Sequence, residues 1–567
     1  MLKAPQHKYR PFPPVELADR TWPGRRLQAP PAWLSTDLRD GNQALFEPMG
    51  TNAKRELFDL LCAVGFKEIE VGFPSASRTE FDFVRHLIET QAIPDDVTVG
   101  VLTPARPDLI ARSVEALVGA RRAIVHVYNA VAPVFRDTVF RKTQADILAL
   151  AVDAVRYVRT LTDRWPQTQW VLQYSPEAFS ATELEFSKAV CDAVIETFGA
   201  TKSEPVIINL PATVEGASPN IFADQVEWMH RHIARRDAIL LSVHPHNDRG
   251  TAVAAAELAM MAGAERVEGC LFGNGERTGN VDLVTLALNL YTQGIAPGLD
   301  FSRIDEVART ATRLTRLPVH PRHPYAGELV YTAFSGSHQD AINKGLAAQR
   351  PDVVWNVPYL PLDPRDVGRD YQAVIRVNSQ SGKGGVAYLL EQHYGVVLPR
   401  RMLIGLSEAV QRRTEESGGE VSSAQIWEVF CDCYLTDREA VIYQGHESAV
   451  DASGERIRLK VEVDGRIVQL DGYGNGPLDA ACRALPGPVH LCHYEERAIG
   501  AGSDARALAI VEVATPGVER TAVAAGIHEN LVTASITALV RAWVGLGATA
   551  APAHALSVSP RTAGGLS

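Results

Sequence analysis

Eight strand-like segments, each followed by a helix-like segment, occupy the first half of this chain and restrict the folds open to it. The short apolar runs that read as buried strands span residues 32–36, 68–72, 97–102, 123–128, 170–174, 205–210, 239–243 and 266–271. Between them apolar residues recur at helical spacing, for example in residues 52–64, 145–160, 181–198 and 251–262. Regular alternation of this kind is typical of a parallel sheet covered by helices.

Two parallel-sheet folds show this alternation. Eight units over roughly 270 residues is the period and size of a (β/α)8 barrel. The rival is a doubly wound open sheet, whose first strand is often followed by G-x-G-x-x-G. Here the first strand leads instead into Asp37-Leu38-Arg39-Asp40-Gly41. We therefore predict an α/β fold with a TIM barrel over residues 31–304.

The remainder of the 567 residues predicts further domains, because the chain is too long for one core. Residues 1–30 are rich in proline and are predicted to form an extended arm. The alternation stops after residue 304, and residues 305–423 are predicted to be a mostly helical linker region that reaches an active site. Residues 424–567 predict an α+β domain with a duplicated βββα unit, in which Asp464-Gly465 marks a hairpin turn.

Composition excludes several functions. The formal charge of −11 disfavours nucleic acid or an anionic membrane as the main partner. No apolar run reaches ~18 residues, so no transmembrane helix is expected, and the N-terminus lacks the apolar core of a secretory signal. The seven cysteines are scattered and odd in number, which predicts reduced thiols and a cytoplasmic location.

His244 and His246 stand at the end of the seventh predicted strand. Active sites of TIM barrels lie at the carboxyl ends of the strands. Two residues that are two positions apart on a strand share a face, so both imidazoles can bind one divalent metal ion. A polar strand-to-loop corner is the alternative reading of the same pair.

Two more potential ligands follow neighbouring strands. Asp40 comes after the first predicted strand and Asn280 after the eighth, and in a closed barrel the seventh, eighth and first strands lie side by side, so that their ends can meet. We predict that Asp40, His244, His246 and Asn280 bind Mg, Mn or Zn. Such a metal binds an α-keto acid and polarises its carbonyl. Arg39 would hold the alkoxide or the carboxylate, although a salt-bridged barrel end is the simpler reading of Arg39-Asp40.

Three motifs at predicted strand ends carry a family resemblance. Residues 38–43 (LRDGNQ), 244–248 (HPHND) and 275–280 (GERTGN) resemble the signatures of the 2-isopropylmalate synthase family, a group of metal-dependent, Claisen-condensing barrels. The resemblance extends through the linker region and the C-terminal repeat. One departure is Asn42, where the family usually has glutamate; some longer members share the asparagine.

The resemblance implies an activity. Members of the family are acyltransferases that condense acetyl-CoA with 2-oxoisovalerate and hydrolyse the thioester, giving 2-isopropylmalate and CoA. This reaction is the first committed step of leucine biosynthesis and is inhibited by leucine. The resemblance also implies a homodimer.

The family's site residues transfer to this sequence by motif. Arg39 would support the keto-acid oxygens, and the keto-acid pocket would be lined by His126, Ser175 and Thr213. The groups implied in proton transfer or water activation are Glu177, His338 and Tyr371, the last two reaching the partner's barrel. On local grounds alone, His126 also suits a core imidazole, Glu177 a helix start and Tyr371 a packing aromatic.

The C-terminal repeat resembles the family's leucine-sensing domain. The residues implied in binding leucine are Gly472, Gly474, Asn475 and Pro477, at a helix N-terminus that can hold a carboxylate. A purely structural role for the repeat is the alternative.

Other functions share parts of this pattern. Homocitrate synthase, citramalate synthase and hydroxymethylglutaryl-CoA lyase have the same kind of metal site, but the lyase normally lacks a domain like residues 424–567. From another class, the chain could be a non-catalytic amino-acid sensor. The complete set of metal and acid–base residues argues against that reading.

Overall fold

A computed structural model describes residues 1–333, 336–369, 383–417, 421–437, 441–463, 465–499, 505–516 and 521–547. The chain divides into two compact units. The first comprises residues 1–331 and 361–370, and the second comprises residues 332–360 and 371–567. The finer division into an arm, a barrel, a linker and a regulatory domain stays a prediction.

The first unit contains a closed barrel of eight parallel strands in the order β1 to β8, which confirms the predicted fold class. The strands are β1 (Ala32–Ser35), β2 (Glu68–Gly72), β3 (Thr98–Pro104), β4 (Arg122–Ala130), β5 (Gln169–Glu177), β6 (Val206–Ala212), β7 (Ile239–Pro245) and β8 (Arg266–Gly269). β1 pairs with both β2 and β8, which closes the barrel.

Helices follow the strands and form the outer layer of the barrel unit. They are α1 (Thr51–Val64), α2 (Arg78–Glu89), α3 (Pro107–Leu117), α4 (Gln144–Thr162), α5 (Leu184–Phe198), α6 (Pro219–His232), α7 (Ala252–Met261), α8 (Leu283–Thr292) and α9 (Ile304–Thr315). Their apolar faces are buried: in α1, Leu57, Leu61 and Val64 are covered, and Gly65 ends the helix with φ +113°. A left-handed residue at this position is typical of a helix C-terminus, and glycine adopts it without strain.

The second unit has helices first and then two sheets. The helices α10 (Gly336–Ala348), α11 (Lys383–Tyr394), α12 (Arg400–Ser417) and α13 (Ser423–Phe430) precede β9 (Val441–Asp451), β10 (Gly454–Val463), β11 (Arg466–Gly474), α14 (Pro477–Ala484), β12 (His490–Ile499), β13 (Arg506–Ala514), β14 (Thr521–His528) and α15 (Leu531–Gly545). Each sheet has three antiparallel strands and is followed by a helix, as the predicted duplication of a βββα unit requires.

A shared packing contact supports the duplication. On the last strand of each sheet a glycine lies directly under the helix, Gly472 under Ala480 and Ala484, and Gly526 under Ala534 and Ala538. A β-carbon at either glycine would overlap a backbone carbonyl of the helix. Both pairs of contacts are therefore possible only because these positions lack a side chain.

None of the described helices is both long enough and apolar enough to span a bilayer. All seven cysteines are among the described residues, and all are free thiols.

Candidate active site

An open cleft of about 860 Å³ lies at the carboxyl ends of the barrel strands. Its lining includes eight of the site residues expected from the sequence: Arg39, Asp40, His126, Ser175, Glu177, Thr213, His244 and His246. Further side chains line it, among them Phe73, Leu102, Tyr128, Asn209, Pro211, Glu276 and Arg277. The cleft therefore combines an apolar wall with converging polar groups, as small-molecule sites do.

Asp40, His244 and His246 form a buried cluster on one side of the cleft. The Oδ2 atom of Asp40 lies 3.4 Å from Nε2 of His244 and 3.7 Å from Nε2 of His246. Among the residues that the structure describes, this is the one group of three or more His, Cys, Asp or Glu side chains whose potential ligand atoms lie within 4.8 Å of one another. Carboxylate and imidazole ligands together suit Zn, Mn or Mg.

Two atoms in this cluster have no hydrogen-bond partner among the described residues, although both are buried: Oδ1 of Asp40 and Nδ1 of His246. A buried polar atom without a partner is costly unless something else satisfies it. These atoms and the convergence of the cluster fit a divalent metal ion.

Asn280 supplies an oxygen atom beside the cluster as a fourth potential ligand. Its amide nitrogen donates to the Asn274 carbonyl at 2.9 Å, so its Oδ1 atom points to Nε2 of His244 at 2.6 Å. Burial raises the pKa of the nearby Cys270 thiol well above its ordinary value.

Glu268, on β8, holds the other nitrogen of His244. Its Oε2 atom lies 3.0 Å from Nδ1 of His244. Burial alone would lower the pKa of His244, but its hydrogen bonds to Asp40 and Glu268 raise that pKa to about 9. Carboxylate contacts of this kind fix the orientation of a metal-binding imidazole and increase its basicity.

The charge balance differs for the two other members of the cluster. Burial alone would raise the pKa of Asp40, but the Arg39 guanidinium and the two imidazoles hold it well below its ordinary value. Burial and the charge of His244 lower the pKa of His246 to about 4. Asp40 is therefore an anion and His246 a neutral imidazole near pH 7, whereas His244 would release a proton on binding a metal.

A second carboxylate, Glu70 on β2, organises another wall of the cleft. It accepts a hydrogen bond from Nε of Arg39 at 2.5 Å and contacts Nδ1 of His126 at 2.7 Å. The Nε2 atom of His126 in turn lies 2.7 Å from Oγ of Ser175. Burial alone would raise the pKa of Glu70, but Arg39 and His126 lower it to about 2.

The backbone after β1 turns Arg39 into the cleft. Residues Asp37–Gly41 form one wide helical turn, and Oγ1 of Thr36 accepts a hydrogen bond from the Asp40 amide. The backbone carbonyl oxygen of Thr36 accepts hydrogen bonds from the amides of Arg39 and Gly41. Arg39 Nη1 then lies 3.2 Å from Oδ2 of Asp40, so the guanidinium and the candidate metal ligand are adjacent.

Glu177 and Thr213 are linked through the backbone between them. Thr213 Oγ1 accepts a hydrogen bond from the Ala178 amide at 2.9 Å, next to Glu177. Ala178 has φ +61°, an uncommon conformation for a residue other than glycine. Burial raises the pKa of Glu177 above its ordinary value. A carboxylate with a raised pKa in a cleft suits a general acid or base.

The remaining predicted residues lie elsewhere. His338 is in α10, in the second unit, where it is exposed and stacks on Tyr359 with ring centroids 4.0 Å apart. Tyr371 is outside the described residues. Gly472 and Gly474 lie at the end of β11, while Asn475 and Pro477 lead into α14. The Asn475 amide donates to Asp479 at 2.9 Å, so an acidic side chain already occupies this helix entrance.

Glu70 and Glu268 are the important residues that the sequence reasoning missed. Each is a charged residue between apolar or small neighbours in a strand, in Ile69-Glu70-Val71 and Val267-Glu268-Gly269. A carboxylate is rarely buried without a partner. A glutamate in a strand predicted to be buried on both faces therefore indicates a buried cation or imidazole that faces it, and this signal was present in the sequence.

The comparisons with known proteins agree with this fold. The HMGL-like family model matches residues 30–311, a model described as alpha-isopropylmalate synthase, post-catalytic domain-like, matches residues 328–391, and the LeuA allosteric (dimerisation) domain matches residues 420–545. The three models follow one another along nearly the whole chain.

A barrel with a buried Asp-His-His cluster and an arginine at its carboxyl end is the arrangement of a barrel enzyme acting on a small molecule. The chain is 61% identical to the 2-isopropylmalate synthases of Paraburkholderia phytofirmans and Paraburkholderia xenovorans, each match covering 95% of this chain and 94% of the relative. It is 60% identical to that of Ralstonia nicotianae, covering 95% of both chains. The chain belongs to the 2-isopropylmalate synthase family.

Proposed function

We propose that this chain condenses acetyl-CoA with 2-oxoisovalerate and hydrolyses the thioester to give 2-isopropylmalate and CoA. The observation that carries the proposal is the buried Asp40-His244-His246 cluster, which opens onto the same cleft as Arg39, His126 and Glu177. A condensation of this type needs a polarised keto carbonyl, a base for the acetyl methyl group and a cation for the developing alkoxide.

Asp40, His244, His246 and the Asn280 oxygen would hold a divalent metal, Mg, Mn or Zn. A bound metal acts as a Lewis acid that polarises the carbonyl of the keto acid. Arg39 lies beside Asp40 and is held by Glu70, so its guanidinium is oriented before substrate binds. We assign it to the alkoxide oxygen, because a preorganised cation stabilises charge that develops in the transition state.

His126, Ser175 and Thr213 are assigned to the keto-acid pocket, where Leu102, Tyr128 and Pro211 supply the apolar contacts for the side chain of the acid. Glu177 is assigned to proton transfer, since burial raises its pKa towards the working pH. His338 and Tyr371 are assigned by family resemblance to the same task, from the partner subunit of a homodimer. Gly472, Gly474, Asn475 and Pro477 are assigned to leucine, the proposed inhibitor.

The test is release of the CoA thiol from acetyl-CoA over a panel of keto acids, with and without leucine. We expect 2-oxoisovalerate to have the highest kcat/KM and leucine to inhibit. A preference for pyruvate would identify a citramalate synthase, and a preference for 2-oxoglutarate a homocitrate synthase. No release with any acid in the presence of Mg, Mn or Zn would contradict the proposal and favour a non-catalytic sensor.

A further inference from the structure

Three loops at the carboxyl end of the barrel are joined by one arginine, Arg277, which has no role in the assignments above. It belongs to the loop after β8 and has φ +58°. Its Nε atom donates to Oδ1 of Asp248 at 2.7 Å, and its Nη2 atom donates to Oδ2 of the same carboxylate at 3.2 Å. Nη2 also donates to the backbone carbonyl of Thr213 at 2.5 Å. One guanidinium therefore ties the loops after β6, β7 and β8.

The backbone around Arg277 leaves it little freedom. Gly275 and Gly279 flank it with φ +148° and +92°. A β-carbon on Gly275 would overlap the side chain of Asn280, and one on Gly279 would overlap the Gly273 carbonyl. The loop can hold this compact shape because both positions lack a side chain.

The Asp248 end of this contact leads to the candidate metal ligands. Asp248 follows His246 by two residues, and its Oδ2 atom also accepts the Glu215 amide at 2.9 Å. A second hydrogen bond joins the same two loops in the opposite direction, since the Glu215 carboxylate accepts the Arg249 amide at 2.6 Å. The loops after β6 and β7 are thus fixed to each other, and Arg277 closes the arrangement from the third side.

The Thr213 end leads to the candidate base. Arg277 holds the carbonyl of Thr213, and the hydroxyl of Thr213 holds the Ala178 amide, next to Glu177. A continuous chain of hydrogen bonds therefore runs from the turn that carries His246 to the segment that carries Glu177. Catalytic groups need fixed relative positions, and a displacement of ~1 Å can cost about a hundredfold in rate.

We propose that Arg277 is a positioning residue that sets the distance between the candidate metal ligand His246 and the candidate base Glu177. It acts on His246 through Asp248, and on Glu177 through Thr213 and Ala178. The proposal rests on the proposed function for the identity of the reaction, but the contacts do not depend on the substrate. Arginine suits the task because its planar fork bonds a carboxylate and a carbonyl at once, whereas lysine presents a single point charge.

The test compares Arg277→Met with Arg277→Lys and with the matched control Arg249→Met. Arg249 is an exposed arginine of the neighbouring loop, for which the structure, within the residues it describes, gives no side-chain hydrogen bond or ion pair. Assays use the full chain at saturating metal and the keto acid that the wild type condenses fastest. For Arg277→Met we expect kcat to fall about tenfold to a hundredfold with KM for the keto acid changed less than ~3-fold. Arg277→Lys is expected to recover part of the loss, and Arg249→Met to match the wild type.

A second variant tests the chain of contacts itself. Thr213→Val removes the hydroxyl that holds the Ala178 amide. Because Thr213→Val and Arg277→Met interrupt the same chain, kcat of the double variant at saturating keto acid should fall no more than ~3-fold below that of the worse single variant, whereas independent effects would multiply. Loss of a direct contact between Thr213 and the keto acid would appear in KM instead. A wild-type kcat in Arg277→Met, or fully multiplicative losses in the double variant, would overturn the proposal.

Zinc or manganese titration of the metal-free protein by calorimetry gives a readout without turnover. Arg277→Met is expected to bind the metal about tenfold more weakly, since it loosens the turn after His246. Unchanged affinity would show that the contact between Arg277 and Asp248 does not position the metal ligands. This measurement separates the two hypotheses: if the wild type turns over no keto acid, the proposed function fails, while the affinity ratio still tests the role of Arg277.

Discussion

Glu70 and Glu268 are two buried carboxylates that perform the same local task in different parts of the barrel. Each is almost completely inaccessible, and each contacts one arginine and the Nδ1 atom of one histidine. Glu70 holds Arg39 and His126, whereas Glu268 holds Arg266 and His244. In both cases the buried negative charge is tolerated because a buried cation faces it.

The two pairs differ in where their cations lie. Arg39 lines the cleft and contacts Asp40, so its charge is available to a substrate. Arg266 is completely buried and lies between Glu268 and Glu68, with Nε 2.6 Å from the Glu68 carboxylate. The same arrangement of a buried carboxylate between an arginine and a histidine therefore serves two purposes. The Glu70 pair presents charge to the reaction, and the Glu268 pair uses its charge within the core.

The largest expected effect comes from replacing Arg39 with lysine. Arg39→Lys should lower kcat about a hundredfold or more, because the donors of lysine lie on a single nitrogen, which cannot both bond Glu70 and reach the developing alkoxide as the separate nitrogens of arginine can. Metal affinity should remain within ~3-fold of the wild type. Steady-state kinetics and calorimetric metal titration check both quantities.

Arg266→Lys is the matched control, since it changes the same residue type against the other carboxylate. It should lower the thermal unfolding midpoint while leaving kcat within ~5-fold, because Arg266 is shielded from the cleft. Equal losses of kcat in the two variants would show that both arginines act only through stability, and the distinction drawn here would fail.

Glu268→Gln is expected to have the next largest effect, and on a different quantity. The neutral amide no longer raises the basicity of His244 or fixes its ring, so the metal Kd should rise about tenfold to a hundredfold. Titration of the metal-free variant measures this directly. Retention of wild-type affinity in a folded Glu268→Gln variant would exclude a role for Glu268 in the metal site.

Glu70→Gln should show the complementary pattern at a smaller magnitude. His126 and Ser175 lose the carboxylate that orients them, so KM for the keto acid should rise about tenfold, in line with ~1.4 kcal/mol for a hydrogen bond to a charged group. The metal Kd should change less than ~3-fold, because no Glu70 atom contacts the Asp40-His244-His246 cluster directly in the described structure. If Glu70→Gln instead weakens metal binding as much as Glu268→Gln, the two carboxylates are not separable.

The barrel and much of its site were predictable because they depend on local patterns. The regular alternation of eight strand-like segments with helix-like segments predicts a barrel of eight parallel strands. Because the active site of such a barrel lies at the carboxyl ends of its strands, the same pattern predicts that Asp40, His244 and His246 meet there. Short apolar strands and helical spacing need no knowledge of distant contacts. The same reasoning predicted the duplicated βββα unit, whose sheets the structure contains.

Glu70 and Glu268 were not predicted because their roles arise from contacts between distant residues. His126 follows Glu70 by 56 positions and meets it only across β3, while Gln173 precedes Glu268 by 95 positions and meets it only across the barrel interior. A sequence pattern shows that a carboxylate lies between apolar or small neighbours in a strand, but it does not show which cation faces it. The link from Arg277 to Thr213 is non-local for the same reason.

A third buried carboxylate, Glu227 on α6, provides a baseline outside the site and the smallest expected effect on activity. It accepts hydrogen bonds from the Thr21 amide at 2.9 Å, from the Trp22 amide at 3.3 Å and from Arg231 at 2.5 Å, and so ties residues of the N-terminal segment to the barrel. Glu227→Gln should leave kcat and metal affinity within ~2-fold, yet lower the thermal unfolding midpoint. A kinetic defect comparable with that of Glu70→Gln would mean that any buried carboxylate of this barrel affects catalysis, and the contrast between the pairs would lose its meaning.

The difference in thermal unfolding midpoint between wild type and Glu227→Gln should depend on pH, in a way that follows from the pKa of Glu227. Burial alone would raise that pKa, but the hydrogen bonds from Thr21 and Arg231 lower it to about 2, below the value of about 4.5 for an ordinary glutamate. The folded state therefore binds the proton less tightly than the unfolded state, so the stabilisation is fully present above pH ~4.5 and is lost as the pH falls towards 2. The difference in unfolding midpoint between wild type and Glu227→Gln should accordingly be larger at pH 7 than at pH 3. A difference that stays constant over this range would show that the glutamine disturbs packing and that the charge of Glu227 contributes nothing.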